Sequence, residues 1–404
     1  MTNNAKLNEG MTMRHHLYIA AVATGFFIYP ACANAWTVHF VKPTATGSGN
    51  CTSWANACTL PTALSSAQSG DEIWVMKTDP QQPPFYAPFT LKTGVKVYGG
   101  FFGTEVAASQ SDPAAHLTII AAAGGMISTG NTSATVLRGF TIRNGIAEEG
   151  AGIRFNNSNA LIVQCVFKEN YATMFGGAVS IRNGGSPQFI NCIFSKNGFE
   201  TPENPQDPPR TMGGGAVFVH NGTPTFVNCL FDGNKAWEGG VVHPVFGNPT
   251  FINCTLVNNA ATIGYGGVFY DPEGKATFRN CILRSNTTFK GVGIAEQGFS
   301  GSTGTTVVTY GNVPEGWTGT GNIDADPFFI NPDPANGDYR LQESDEVDSP
   351  CKNTGQTSAL PLDVGDLDWD GNTSEPIPRD LSGFTRLRLG TVDMGAYEVQ
   401  FDIE

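Results

Sequence analysis

The chain has 404 residues, with 23 Lys+Arg against 36 Asp+Glu and a formal net charge of −13. Only 15% of residues are charged while 40% are hydrophobic, and there are 49 glycines and 25 prolines. That composition excludes long charged helices, is too apolar for a disordered chain, and lacks the basic excess of nucleic-acid binders.

The first segment reads as an address. Arg14, His15 and His16 precede the apolar run Leu17 to Tyr29, and Ala33-Asn-Ala35 sets small residues before Trp36. A basic start, a short apolar stretch and an A-x-A site describe a secretory signal peptide over residues 1–35. The run is too short to span a bilayer as a helix. The mature chain is therefore expected to have no transmembrane segment and to be secreted, extracellular, at the cell surface or periplasmic. Such compartments permit disulfides, and Cys51 and Cys58, close together in a loop, are expected to pair. Leu60, Ala63, Leu64 and Ala67 then recur at helical spacing, with Thr59 as N-cap and Gly70 as stop.

A repeat follows. Cys165, Cys192, Cys229, Cys254 and Cys281 are spaced by 27, 37, 25 and 27 residues. Each sits in a unit like Phe189-Ile-Asn-Cys-Ile-Phe-Ser-Lys-Asn197 or Phe226-Val-Asn-Cys-Leu-Phe-Asp-Gly-Asn234. Ile or Phe stands three before Cys, Asn or Gln one before, Phe or Leu two after, and Asn five after. Glycine turns follow at Gly176-Gly177, Gly214-Gly215, Gly239-Gly240 and Gly266-Gly267. Short apolar alternations at a period near 25 mean a solenoid. Period-2 geometry sends Cys and the residue two after it inward together, and the Asn or Gln before Cys is the corner where the phase resets. Coils stacked about 4.8 Å apart place Cys over Cys, Phe over Phe and Asn over Asn. The last column is expected to form an amide ladder, with Asn in the left-handed conformation. The 37-residue interval holds a loop insertion over 198–212, rich in proline and acidic residues.

These units resemble right-handed parallel β-helix proteins with polymorphic-outer-membrane-protein-type repeats. The matching marks are Phe167 to Asn170, Phe194 to Asn197, Phe231 to Asn234 and the G-G-A-V turns at Gly176 and Gly214. The chain ends resemble the choice-of-anchor Q branch, through Gly70-Asp-Glu-Ile-Trp-Val75, Val97-Tyr98, Gly337-Asp-Tyr-Arg-Leu341 and Val392-Asp-Met-Gly-Ala-Tyr-Glu398. The resemblance implies an all-β, right-handed parallel β-helix over 36–320, including an N-terminal helical cap at about 36–70. Residues 321–404 would form a C-terminal coil and irregular cap covering the other end.

Two groups of residues are candidates for function. Phe175, Trp237, Tyr265 and Phe289 form a column ahead of the glycine turns. They either shield the turns or make an aromatic stripe that binds a polysaccharide or another protein. Asp366, Asp368, Asp370 and Asn372 follow the D-x-D-x-D-G form of a Ca2+ loop. Ile377 stands where the twelfth-position acid would be, with Glu375 near. The cysteine column reads as buried free thiols, and Cys351 has no assigned partner. Basic residues and His220 and His243 are scattered, no Asp pair clusters on consecutive coils, and no pectinase or pectate lyase motif occurs. The expected role is a non-enzymatic, structural or adhesive surface protein that binds glycans or proteins through its side face and can self-assemble. The alternative is a polysaccharide lyase or hydrolase on the same scaffold.

Overall fold

The computed structural model describes residues 36–78, 84–198, 211–264, 266–270, 275–288, 291–292, 306–314, 317–343, 348–388 and 390–400. Residues 1–35, read above as a leader, most of the expected loop insertion, Tyr265 and Phe289 lie outside the described residues. Among the described residues no helix is long and apolar enough to cross a membrane.

Three parallel sheets make the walls of a β-helix. The first has ten strands, from Val38–Val41 through Gln188–Ile190, Thr225–Val227 and Thr250–Ile252 to Val307–Thr309. The second includes Ile193–Ser195, Leu230–Asp232 and Thr255–Val257. The third runs from Met126–Thr129 to Val242–Val245. Register is strict: Phe189 pairs with Phe226, Phe226 with Phe251 and Phe251 with Phe278.

The corner and the ladder have separate causes. Gln164, Asn191, Asn228, Asn253 and Asn280 have φ of 50, 51, 50, 51 and 54°. Their left-handed backbone turns the chain between the first and second sheets, so the residue three before Cys and the residue two after both face inward. The five cysteines are fully buried and free. Burial drives the Cys229 thiol well above its usual range, and its Sγ–H points to the Val227 carbonyl at 3.2 Å.

Five residues on from each Cys, Asn170, Asn197, Asn234, Asn259 and Asn286 form a buried ladder. Nδ2 of each of the first four donates to Oδ1 of the next at 3.0, 3.0, 2.9 and 2.9 Å. These asparagines are not left-handed, contrary to the expectation. The positive φ falls one residue earlier, at Glu169, Lys196, Gly233, Asn258 and Ser285. The turn before the ladder aims each carboxamide into the interior, and the hydrogen bonds rather than backbone tolerance select Asn.

Close approach explains the glycine turns. A Cβ on Gly215 would lie 2.2 Å from the Gly240 carbonyl oxygen of the next coil and 2.7 Å from the Lys235 nitrogen. Gly214 before it has φ +69°.

The two ends are closed differently. Helix Leu60–Ser66 buries Leu60 and Ala63 and packs against the first two strands, beside a Cys51–Cys58 disulfide. Thr59 is its N-cap, but the Thr59 hydroxyl pairs with that of Thr62 rather than with a backbone N–H. At the far end Val308 and Val313 are buried and Trp317 packs on the core. The chain beyond then returns along the outside of the corner. Corner amides donate to its carbonyls: Asn280 to Gln356 at 3.0 Å, Asn253 to Asp393 at 3.1 Å, Asn228 to Arg379 at 2.8 Å and Asn191 to Asp380 at 2.6 Å.

The C-terminal Val392–Glu398 segment is a buried hydrogen-bonded cluster that supports this return. Buried Asp393 accepts the Asn353 and Val399 N–H groups at 2.6 and 2.7 Å. Fully buried Arg386 donates to the Asp393 and Gly395 carbonyls, both at 2.8 Å. Cys351 is buried as a free thiol and meets Asn312 Nδ2 at 2.9 Å.

Candidate functional site

Stacking of coils builds an aromatic pocket from residues far apart in sequence. Phe175 ends the strand Tyr171–Phe175. Trp237 is held two coil positions further on, where its backbone N–H donates to the Thr211 carbonyl at 3.1 Å and its carbonyl accepts from the Gly264 N–H at 2.8 Å. His243 arrives because its strand pairs with Val217–His220, placing it against Phe218. Together with Met212, Glu238 and Ile263 they line a cavity of about 350 Å³. Phe175 stacks on Phe218 at 4.5 Å and meets His243 edge-on at 6.1 Å. Met212 and Ile263 are exposed at the rim.

The pocket's polar groups are largely unspent. Trp237 Nε1 and His243 Nδ1 are buried without a hydrogen-bond partner among the described residues, an uncommon state for a tryptophan N–H out of water. Burial lowers His243 to about 4, so the ring is neutral at pH 7, and burial raises the Glu238 carboxyl. Of the four sequence candidates, Phe175 and Trp237 are half-buried in one pocket, while Tyr265 and Phe289 fall outside the described residues. Sequence reasoning missed His243, Met212, Ile263 and Glu238 as pocket residues. The signal lay in the coil register, since Phe218 and His243 are 25 residues apart.

A separate groove of about 570 Å³ runs beside the ladder turn, lined by Tyr171, Lys196, Lys235, Asn258, Ser285 and Thr287 among others. Both lysines are exposed.

The second sequence candidate is a carboxylate loop pinned to the outer face of the first sheet. Buried Arg138 donates to the Gly365, Asp366 and Leu367 carbonyls at 3.3, 3.0 and 3.3 Å. Its guanidinium lies 3.9 Å from the Trp369 ring centroid. Burial lowers Arg138 to about 10, which still leaves it charged at neutral pH. Leu367 is buried with Tyr98, Leu161 and Val163. Asp366 Oδ1 accepts the Gly371 N–H at 3.1 Å, and Asp370 Oδ1 accepts that of Asn372 at 2.7 Å. Side-chain oxygens of Asp366, Asp368 and Asp370 lie within 4.8 Å of one another. Asn372 Oδ1 instead accepts from the Ser374 N–H and hydroxyl at 3.2 and 2.7 Å. A second triad, Asp363, Asp368 and Glu375, meets the same 4.8 Å limit. Asp363 was absent from the sequence candidates because it stands outside the D-x-D-x-D spacing. Burial, then the Asp368 and Asp366 charges, push it up to about 6.

Residues 125–310 match the family described as "Right handed beta helix region". Among solved structures the chain is similar to "Crystal structure of pectate lyase Pel9A", at 14% identity and a TM-score of 0.44, over 90% of this chain and 96% of that one. No curated protein matches. The solenoid is thus a right-handed parallel β-helix.

Proposed function

We propose that the chain is an exported, non-enzymatic β-helix scaffold of the choice-of-anchor Q type, which binds a sugar ring of a glycan in the Phe175–Trp237 pocket. The observation that carries this reading is the buried Trp237 Nε1–H, unpartnered among the described residues, beside two aromatic rings. A pyranose has an apolar C–H face that stacks on indole and hydroxyls that accept from an N–H. The volume is at the small end of ligand pockets, which run to roughly 300–1,000 Å³. The exposed Met212 and Ile263 rim lets a polymer continue out of the cavity. The leader at 1–35 supports export to a surface where glycans are met, and the repeated coil faces support adhesion or self-assembly.

Catalysis is the second reading, favoured by Glu238. Its burial-raised carboxyl is poised as a general acid would be. Against it, two-carboxylate glycoside hydrolysis needs a second acid, and Glu238 is the lone carboxylate of the described lining.

The two readings separate in one experiment. Binding to immobilised neutral and acidic polysaccharides is measured for the native chain and Trp237→Ala, with reducing ends followed in the same samples. Binding weakened at least about tenfold by Trp237→Ala, with no product released, is the expected outcome. Binding untouched by Trp237→Ala would overturn it, and product formation lost in Glu238→Gln would establish the enzyme.

A further inference from the structure

We propose that the acidic loop over 363–375 binds a calcium ion through Asp363, Asp368 and Glu375, with Asp366 and Asp370 on its outer side, and that this ion staples the returning C-terminal segment to the solenoid. Three carboxylate oxygens of this loop are buried with nothing to bond among the described residues. Asp363 is fully buried. Its Oδ2 accepts the Leu367 N–H at 2.7 Å, but among the described residues Oδ1 has no partner, and neither do the buried Asp368 Oδ1 and Glu375 Oε1. The carboxylates of these three residues converge within 4.8 Å of one another. Buried, unpaired like charges are costly, and Arg138, which seats the loop, directs its hydrogen bonds to backbone carbonyls and Gln164 rather than to these carboxylates.

The spacing suits a cation. Two oxygens bound to one calcium at roughly 2.3–2.6 Å can be no more than about 5 Å apart. The donors are all hard oxygens, which excludes thiolate- and imidazole-seeking metals. Five carboxylates on an irregular loop suit the variable coordination of calcium better than the octahedron and retained waters of magnesium.

The backbone brings the triad together. The Asp363 N–H donates to the Glu375 carbonyl at 2.8 Å and the Ile377 N–H to the Pro361 carbonyl at 2.9 Å, so the two ends of the loop are clamped side by side. Asp368 then reaches back between them from the stretch that Arg138 and the buried Leu367 hold against the first sheet. An ion at this point ties the clamp to the anchored stretch. Asn372, the fourth residue of the D-x-D-x-D-G-N reading, is not needed.

The test is thermal melting and titration calorimetry of the full chain, in EDTA, with about 1 mM CaCl2 and with the same concentration of MgCl2, a level suited to extracellular calcium modules. Calcium is expected to release or absorb heat and to raise Tm by several degrees, with magnesium much weaker. Asp363→Asn keeps the Leu367 hydrogen bond through its amide oxygen, and Glu375→Gln alters a residue at the loop's edge. Both should lose the calcium shift, yet in EDTA melt at or above the native chain because each removes a repelling charge. Equal melting in EDTA and calcium with no heat, an equal response to magnesium, or a calcium shift retained by both variants would overturn the proposal.

Discussion

Asn234→Leu should cost on the order of 4 kcal/mol of stability, more than any surface substitution on the same coil. One fully buried carboxamide makes four hydrogen bonds. Nδ2 donates to the Phe194 carbonyl and to Asn259 Oδ1, both at 2.9 Å, and Oδ1 accepts from Asn197 N–H and Nδ2 at 3.0 Å each. Leucine has the same branched outline and is larger, so the loss is not a cavity. Its cost is the orphaning of the Asn197 donors and the Phe194 acceptor away from water, roughly 1–3 kcal/mol for each buried group left unmade. The site is also mid-ladder, where a solenoid depends on nearest-neighbour coil contacts. Denaturant unfolding followed by circular dichroism reads the change directly. A loss below about 1 kcal/mol would mean that the ladder is incidental to coil stacking.

Phe226→Ala is the second large effect, expected at about 3–5 kcal/mol. The Phe226 ring stacks between Phe189 and Phe251, both at 4.9 Å, and meets Phe194 and Phe231 edge-on at 5.9 and 5.4 Å. It therefore joins the two phenylalanine columns that fill the interior. Strict register holds its neighbours in place, so they cannot collapse into the space it leaves. Phe226→Leu refills most of that volume and should cost under half as much. Parallel denaturant curves for the two variants check this, and equal losses would show that ring stacking outweighs cavity formation.

Where function depends on stacking, the sequence was readable. Period and register are properties of a repeat, so the cysteine spacing located the coils, the inward Cys and Phe columns, the corner at Asn191 or Asn228, and the Asn ladder. Local conformation was less legible. The left-handed residue is Lys196 or Ser285 rather than the ladder Asn beside it, because burial of the carboxamide, not backbone preference, sets that position. The aromatic column was half visible: Phe175 and Trp237 both stand ahead of a glycine turn, one and two residues before it, but His243, Met212 and Ile263 enter the pocket only through coil-to-coil contact. The acidic loop was visible as D-x-D-x-D-G, yet its buried member Asp363 joins through the backbone clamp to Glu375, which no spacing rule describes. The course of the C-terminal segment had one hint. Each corner amide repeats on the outside of the coil, and a column of Asn side chains there needs acceptors that a bare solvent face would not order.

Whether the scaffold holds a glycan without cutting it is tested most directly by a crystal structure of the full chain with an oligosaccharide of the polymer it binds best. An intact sugar chain with one ring stacked on Trp237 and a hydroxyl within hydrogen-bond distance of Trp237 Nε1 is the predicted result. Cleaved product at Glu238, or an intact oligosaccharide seated along Lys196 and Lys235 with the aromatic pocket empty, would contradict it.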